Sequence, residues 1–248
     1  VCQEDVEVAK PSSQAGKPGD LRDSEPELPE DVDASELDAD AQRQLGSLPK
    51  ALASKIARHL VAAGESLDTD PDEALRHARY AKRKASRIPV VRETLGLAAY
   101  HVGQWSEALT ELRAVRRMTR SDNHVAVIAD AERGLGRPQR ALDVAAETDT
   151  SALSKEVAVE LRIVAAGARR DLGQIEAAVV GLQGPDLQQA SGEPWNARLF
   201  YAYADNLAAA GRTTEALRWF LRTTRVDEAE QTDAAERARE LGAAESDA

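Results

Sequence analysis

Four short runs along the chain share one pattern. Gly103-Gln-Trp-Ser-Glu-Ala108-Leu, Gly136-Arg-Pro-Gln-Arg-Ala141-Leu, Gly173-Gln-Ile-Glu-Ala-Ala178-Val and Gly211-Arg-Thr-Thr-Glu-Ala216-Leu each set a glycine five residues before an alanine, with an aliphatic residue next. A fifth run, Asp70-Pro-Asp-Glu-Ala74-Leu, matches without the glycine. The five alanines are 34, 33, 37 and 38 residues apart. A period near that length describes stacked helical hairpins, because each hairpin leaves an apolar face that only a neighbour can cover. Within each run, the glycine ends one helix in the left-handed conformation and the next two to four residues turn the chain. Pro71 and Pro138 stand where a new helix can begin. The alanine is small because the two helices of a hairpin approach closest there.

The composition agrees with a helical array. Hydrophobic residues make up 42% and aromatic ones only 4%, so the core must come from Ala, Leu and Val. Alanine and leucine favour helices, and β-branched runs are few. No apolar run reaches the roughly 18 residues of a membrane span, and the N-terminus lacks the pattern of a secretory signal. The single cysteine, Cys2, permits no intramolecular disulfide and no multi-cysteine metal site. These features lead us to expect a reducing, cytoplasmic setting. Arginine outnumbers lysine, the bias of a GC-rich bacterial genome. Val1 is either a translated GTG start or a truncation point.

Charge divides the chain. Residues 1–40 carry 13 acids against Lys10, Lys17 and Arg22, residues 41–140 have a net charge of +7, and residues 141–248 have −8. The first 34 residues mix Pro, Gly, Ser and like charges with few apolar side chains, which predicts a disordered acidic tail. Ser35-Glu36-Leu37-Asp38 has the spacing of a capping box, so the expected helical domain is 35–248. An entry helix is expected over 36–47, and hairpins near 50–87, 90–119, 122–148, 154–183 and 194–226. A closing amphipathic helix over 232–241 should cover the last hairpin.

The repeat resembles the tetratricopeptide repeat. Its best copy, residues 89–122, has Leu95-Gly96 at the Leu-Gly pair, Gly103 at the turn, Trp105 at the aromatic position and Ala108 at the small one. It departs at Leu112, which stands where an aromatic is usual. In later copies Ala129, Ala166 and Tyr203-Ala204 replace the Leu-Gly glycine or pair. The resemblance spans about residues 50–226. Over its whole length the chain is also similar to an actinobacterial group of tetratricopeptide proteins with an acidic N-terminal extension. That likeness rests on stretches such as "ERGLGRPQRAL", "ELRIVAAGARRDLGQ" and "YAYADNLAAAGR". What the resemblance implies is an all-α fold, a right-handed α–α superhelix of about five hairpins, and a scaffold for protein binding. It implies no chemistry, no cofactor and no metal.

No constellation in the sequence supports an enzyme. His59, His77, His101 and His124 lack helical metal-ligand spacing and are expected on the surface. Gly134-Leu-Gly136 and Gly181-Leu-Gln-Gly184 read as helix ends rather than phosphate loops. Two surfaces remain. The first helices of the hairpins should line a groove for a protein or peptide, and the register places Leu97, Tyr100, Asp130, Arg133, Arg170, Arg198, Tyr201 and Asp205 there. Glu93, Ala126, Ile163 and Gly167 share it. Chaperone-binding members of the family use a carboxylate clamp, but Leu97, Asp130, Gly167 and Asp205 lack its asparagines. The second surface is a basic stripe on the second helices, made of Arg76, Arg79, Lys82, Arg83, Arg87, Arg113, Arg116, Arg117 and Arg120. It is a candidate site for nucleic acid or another polyanion, or it is a solvated face. The acidic tail could also screen it in cis.

Overall fold

A computed structural model describes residues 24–188 and 193–246. Those residues form twelve α-helices joined by turns and short 3-10 segments, with no strand among them. After α1 (Ala39–Leu45) come five pairs: α2 (Lys50–Glu65) with α3 (Pro71–Ala85), α4 (Pro89–His101) with α5 (Trp105–Thr119), and α6 (Val125–Gly134) with α7 (Pro138–Glu147). Then follow α8 (Lys155–Asp171) with α9 (Ile175–Leu182), α10 (Trp195–Ala209) with α11 (Thr213–Val226), and a closing α12 (Ala234–Ser246). The two members of each pair pack on each other, and each pair packs on the next.

The glycine–alanine runs are the hinges of this arrangement. Gly103, Gly136, Gly173 and Gly211 have φ of +71°, +71°, +74° and +73°, the left-handed region that a side chain resists. The amide after each glycine donates to a carbonyl five residues back, at 2.8 Å in the first turn and 2.9 Å in the other three. That bond closes a Schellman motif and satisfies carbonyls left over at the helix end. The first pair lacks the glycine. There Asp70 caps α3 by accepting from the Glu73 amide at 3.1 Å, with Pro71 opening the helix. Ala74, Ala108, Ala141, Ala178 and Ala216 have no solvent exposure. Gly96 of the Leu-Gly pair is small for the same reason. A Cβ there would stand 2.6 Å from the Leu112 side chain on α5, so the two helices of that pair touch backbone to side chain.

The core is a chain of small clusters, one under each junction. The largest gathers Phe200, Tyr203, Leu207 and Phe220 with Ala234 and Ala238 of α12. Buried carboxylates tie neighbouring helices together. Glu111 of α5 is 1% exposed and accepts from Lys82 of α3 at 2.5 Å and Arg92 of α4 at 2.6 Å. Glu132 of α6 does the same for Arg113 of α5, and Asp186 for Lys155 at 2.6 Å and Arg162 at 2.8 Å on α8.

The N-terminal boundary differs from the composition-based expectation. Residues 1–23 lie outside the described residues, but 24–34 are not free of the helical body. Pro26 and Val32 are buried, and Val32 packs against Val61 and Ala62 of α2 with Leu28 and Leu37 beside it. A few apolar anchors and the cations beneath them hold a segment whose average composition is polar. The entry helix also starts later than the capping box implies. Asp38, not Ser35, caps α1 by accepting from the amides of Asp40 and Ala41. Asp33 caps a separate 3-10 turn over Ala34–Glu36.

Candidate functional site

Seven of the eight expected groove residues line one cavity of about 810 Å³. Tyr100 comes from α4, Asp130 and Arg133 from α6, Arg170 from α8, and Arg198, Tyr201 and Asp205 from α10. Ile163 and Gly167 also line it. The spacing explains the convergence. Residues three, four and seven apart share a helix face, so each first helix offers one stripe to the cavity. Leu97 is the exception, because it packs beside Leu109, Leu112 and Ile128 under the α5–α6 junction. Glu93 lies elsewhere, with its Oε1 2.9 Å from Nε2 of His124.

Several lining groups escaped the sequence reading. Glu160 sits one turn before Ile163 on the α8 stripe, and Asp171 one turn after Gly167, so both were legible from the register. Gln231, Thr232 and Asp233 come from the α11–α12 connection. No helical period could have placed them.

The cavity is a lattice of answered charges. Tyr100 donates to Asp130 at 2.5 Å, and Asp130 also accepts from Arg133 at 2.7 Å. Arg133 reaches on to Asp171 through Nε at 2.7 Å and Nη2 at 3.3 Å. Its guanidinium lies flat over Gly167, where a Cβ would meet it at 2.7 Å. Arg170 bonds Asp205, Arg198 bonds Glu160 at 2.6 Å, and Arg237 of α12 reaches the other oxygen of Asp205 at 3.2 Å. Five carboxylates among the lining residues face three lining guanidinium groups and that of Arg237 from α12, a balance of −1.

This setting shifts several groups. Burial, then the bond to Asp130, raises the Tyr100 phenol well above its ordinary value. Burial, then the bond to Asp233, pushes Tyr201 up to about 12. Both stay neutral donors at physiological pH. Burial also raises Glu160, against the pull of Arg198. Burial opposes the charge of Arg133, but Asp171 and Asp130 outweigh it and hold the group cationic.

The basic stripe has a different fate. Arg79 pairs with Glu107 at 2.5 Å, Lys82 with Glu111, Arg113 with Glu132, Arg116 with Asp122 at 2.5 Å, and Arg76 with Glu73. Arg83 donates to the Ser24 carbonyl at 3.2 Å. The segment 76–87 has no acid of its own, so Glu73 one turn earlier on α3, neighbouring helices and the N-terminal segment supply its partners. Arg87, Arg117 and Arg120 are exposed and outside these pairs.

Two of the histidines are not on the surface. His59 of α2 is 0% exposed and His77 of α3 is 1% exposed, and their Nδ1 atoms are 2.8 Å apart. One proton lies between those nitrogens. The Glu73 carboxylate stands 3.2 Å from His77 Nε2. On the far side of the pair is the His59 Nε2. That atom has no hydrogen-bond partner and faces Glu25 at 3.6 Å. Burial, then the charge of His77, lowers His59 to about 4. Burial lowers His77 too. Among the described residues, no cluster of three or more His, Cys, Asp or Glu is placed to hold a metal ion, and no helix is long and apolar enough to cross a membrane.

Comparison with protein-family models, with curated proteins and with solved structures gives no match.

Proposed function

We propose that the chain is a tetratricopeptide-like, right-handed α-solenoid that acts as a non-catalytic cytoplasmic adaptor. Its partner is a protein or peptide segment bound in the cavity lined by the first helices. The observation that carries this reading is the convergence of Tyr100, Asp130, Arg133, Arg170, Arg198, Tyr201 and Asp205 on one cavity. Tyrosine and arginine dominate contact energy at protein interfaces. Fixed helices lose little ordering entropy when a partner docks. The excess of carboxylates selects a segment carrying lysine or arginine, since a basic side chain can take over one acid of an existing pair.

The test is capture of partners from native cytosol by the intact chain and by a variant with Tyr100, Arg133, Arg170 and Tyr201 replaced by alanine. Loss of capture with an unchanged helical circular-dichroism signal is the expected result. Capture that survives the four substitutions refutes the groove.

A second reading, RNA or ribosome association through the stripe, is favoured only by exposed Arg87, Arg117 and Arg120. It requires RNA binding that weakens steeply with salt and strengthens when residues 1–34 are removed. An absence of binding by the shortened chain at low salt eliminates it.

A further inference from the structure

The first hairpin already holds a peptide. Residues 24–32, Ser-Glu-Pro-Glu-Leu-Pro-Glu-Asp-Val, contain four acids and no base, and they lie as a strap across α2 and α3. Glu25 accepts from Lys55 at 2.7 Å and from the Tyr80 hydroxyl at 2.9 Å. Arg58 donates to two strap carbonyls, Val32 at 2.8 Å and Pro29 at 3.0 Å, and Arg83 donates to that of Ser24. Pro26 and Val32 are buried, and the remaining strap residues are exposed or half-buried.

The face beneath the strap does not resemble the covered end of a helical stack. A stack end needs apolar side chains, but this one sets Lys55, Arg58, Tyr80 and Arg83 beside the apolar Val61 and Ala62, over the buried His59–His77 pair. Clamped carbonyls, one read carboxylate and two buried apolar side chains are how extended peptides are recognised. Side chains of the hairpin make these bonds to the strap, so the strap can leave without breaking helical hydrogen bonds. The Nε2 of His59 is fully buried and faces Glu25 at 3.6 Å with no hydrogen-bond partner, so the strap leaves one polar atom of this face unanswered.

We propose that this face of the first hairpin is a second binding site, for an extended, acidic, proline-containing segment of a partner protein. Residues 24–32 are its resident ligand in cis, and the partner segment displaces them. The site is independent of the groove, and its ligand has the opposite charge.

Displacement can be read with the full chain. A fluorescein-labelled synthetic peptide of residues 24–33 is titrated by anisotropy against the intact protein and against Glu25→Lys, which sets the strap's anchor against Lys55. A short tether keeps the strap at an effective concentration of about 1 mM, so a peptide with a Kd near ~100 µM binds the intact protein about tenfold more weakly. The expected result is therefore binding to E25K, roughly tenfold weaker binding to the intact chain, and loss of binding in E25K combined with Arg58→Ala. Glu25→Gln, which removes charge but keeps shape, replaces E25K if that variant lacks the helical circular-dichroism signal. The proposal is overturned if the released chain does not bind the peptide at 1 mM (about the tether's effective concentration). Equal binding to released and intact chains, or of a scrambled peptide, overturns it as well.

Discussion

The second-helix face and the cavity use the same residue types to different ends. Beneath the basic stripe, Glu111 of α5 and Glu132 of α6 are buried between hairpins and their cations reach in from outside. In the cavity both members of each pair stay in partial contact with water, and Asp171 is 38% exposed. A buried carboxylate is bound by the cost of stranding charge, whereas a half-exposed one can exchange partners. One face is therefore mortar between hairpins, and the other can trade its pairs for those of a ligand.

That contrast can be broken by substitution. Lys82→Ala combined with Arg92→Ala leaves the Glu111 carboxylate buried and unpaired and should cost about 3–5 kcal/mol, read as a fall in denaturant midpoint. A loss below ~1 kcal/mol would erase the distinction between the faces. Acid should act next most strongly, through the buried histidines. His59 titrates near 4 when folded and near 6.5 when unfolded, so the unfolded chain binds the extra proton between those values. Stability is full above about pH 6.5, falls by roughly 3 kcal/mol as the pH drops to 4, and levels off below that. Glu25, Lys55, Glu73, Arg76 and Tyr80 face the pair and form its surroundings. His59→Gln with His77→Gln should flatten that part of the profile in pH-dependent urea melts. Gly96→Ala forces the Leu112 side chain to move and should cost about 1–3 kcal/mol by the same measurement. Asp171→Ala, in the cavity, should cost less than about 1 kcal/mol while changing partner affinity. A larger stability loss there would make the cavity charges structural.

The hairpins were legible because their determinants are local. A left-handed glycine, a turn and a buried alanine five residues on occupy a single run, and all four such runs adopt one turn. The groove was legible where a helical period carries it, as from Arg198 to Asp205. Legibility ended where a group's partner comes from another element. The segment 76–87 looks like bare positive charge until Glu107 and Glu111, nearly thirty residues on, are brought beside it. His59 and His77 are 18 residues apart and meet only because α2 and α3 pack together. Leu97 shares the stripe of Tyr100, yet the α5–α6 junction draws it inward. The strap escaped for another reason. Composition averages over a segment, but two buried residues and three clamped carbonyls suffice to hold it.

Asp205 has one oxygen on Arg170 of α8 and the other on Arg237 of α12. A basic side chain arriving in the cavity competes for that carboxylate, and α12 then loses one of its ties to the groove. Occupancy at the centre of the molecule would thus be felt as faster amide exchange along 234–246, at its far end. A closing helix fastened through the binding site reports on whether the site is full.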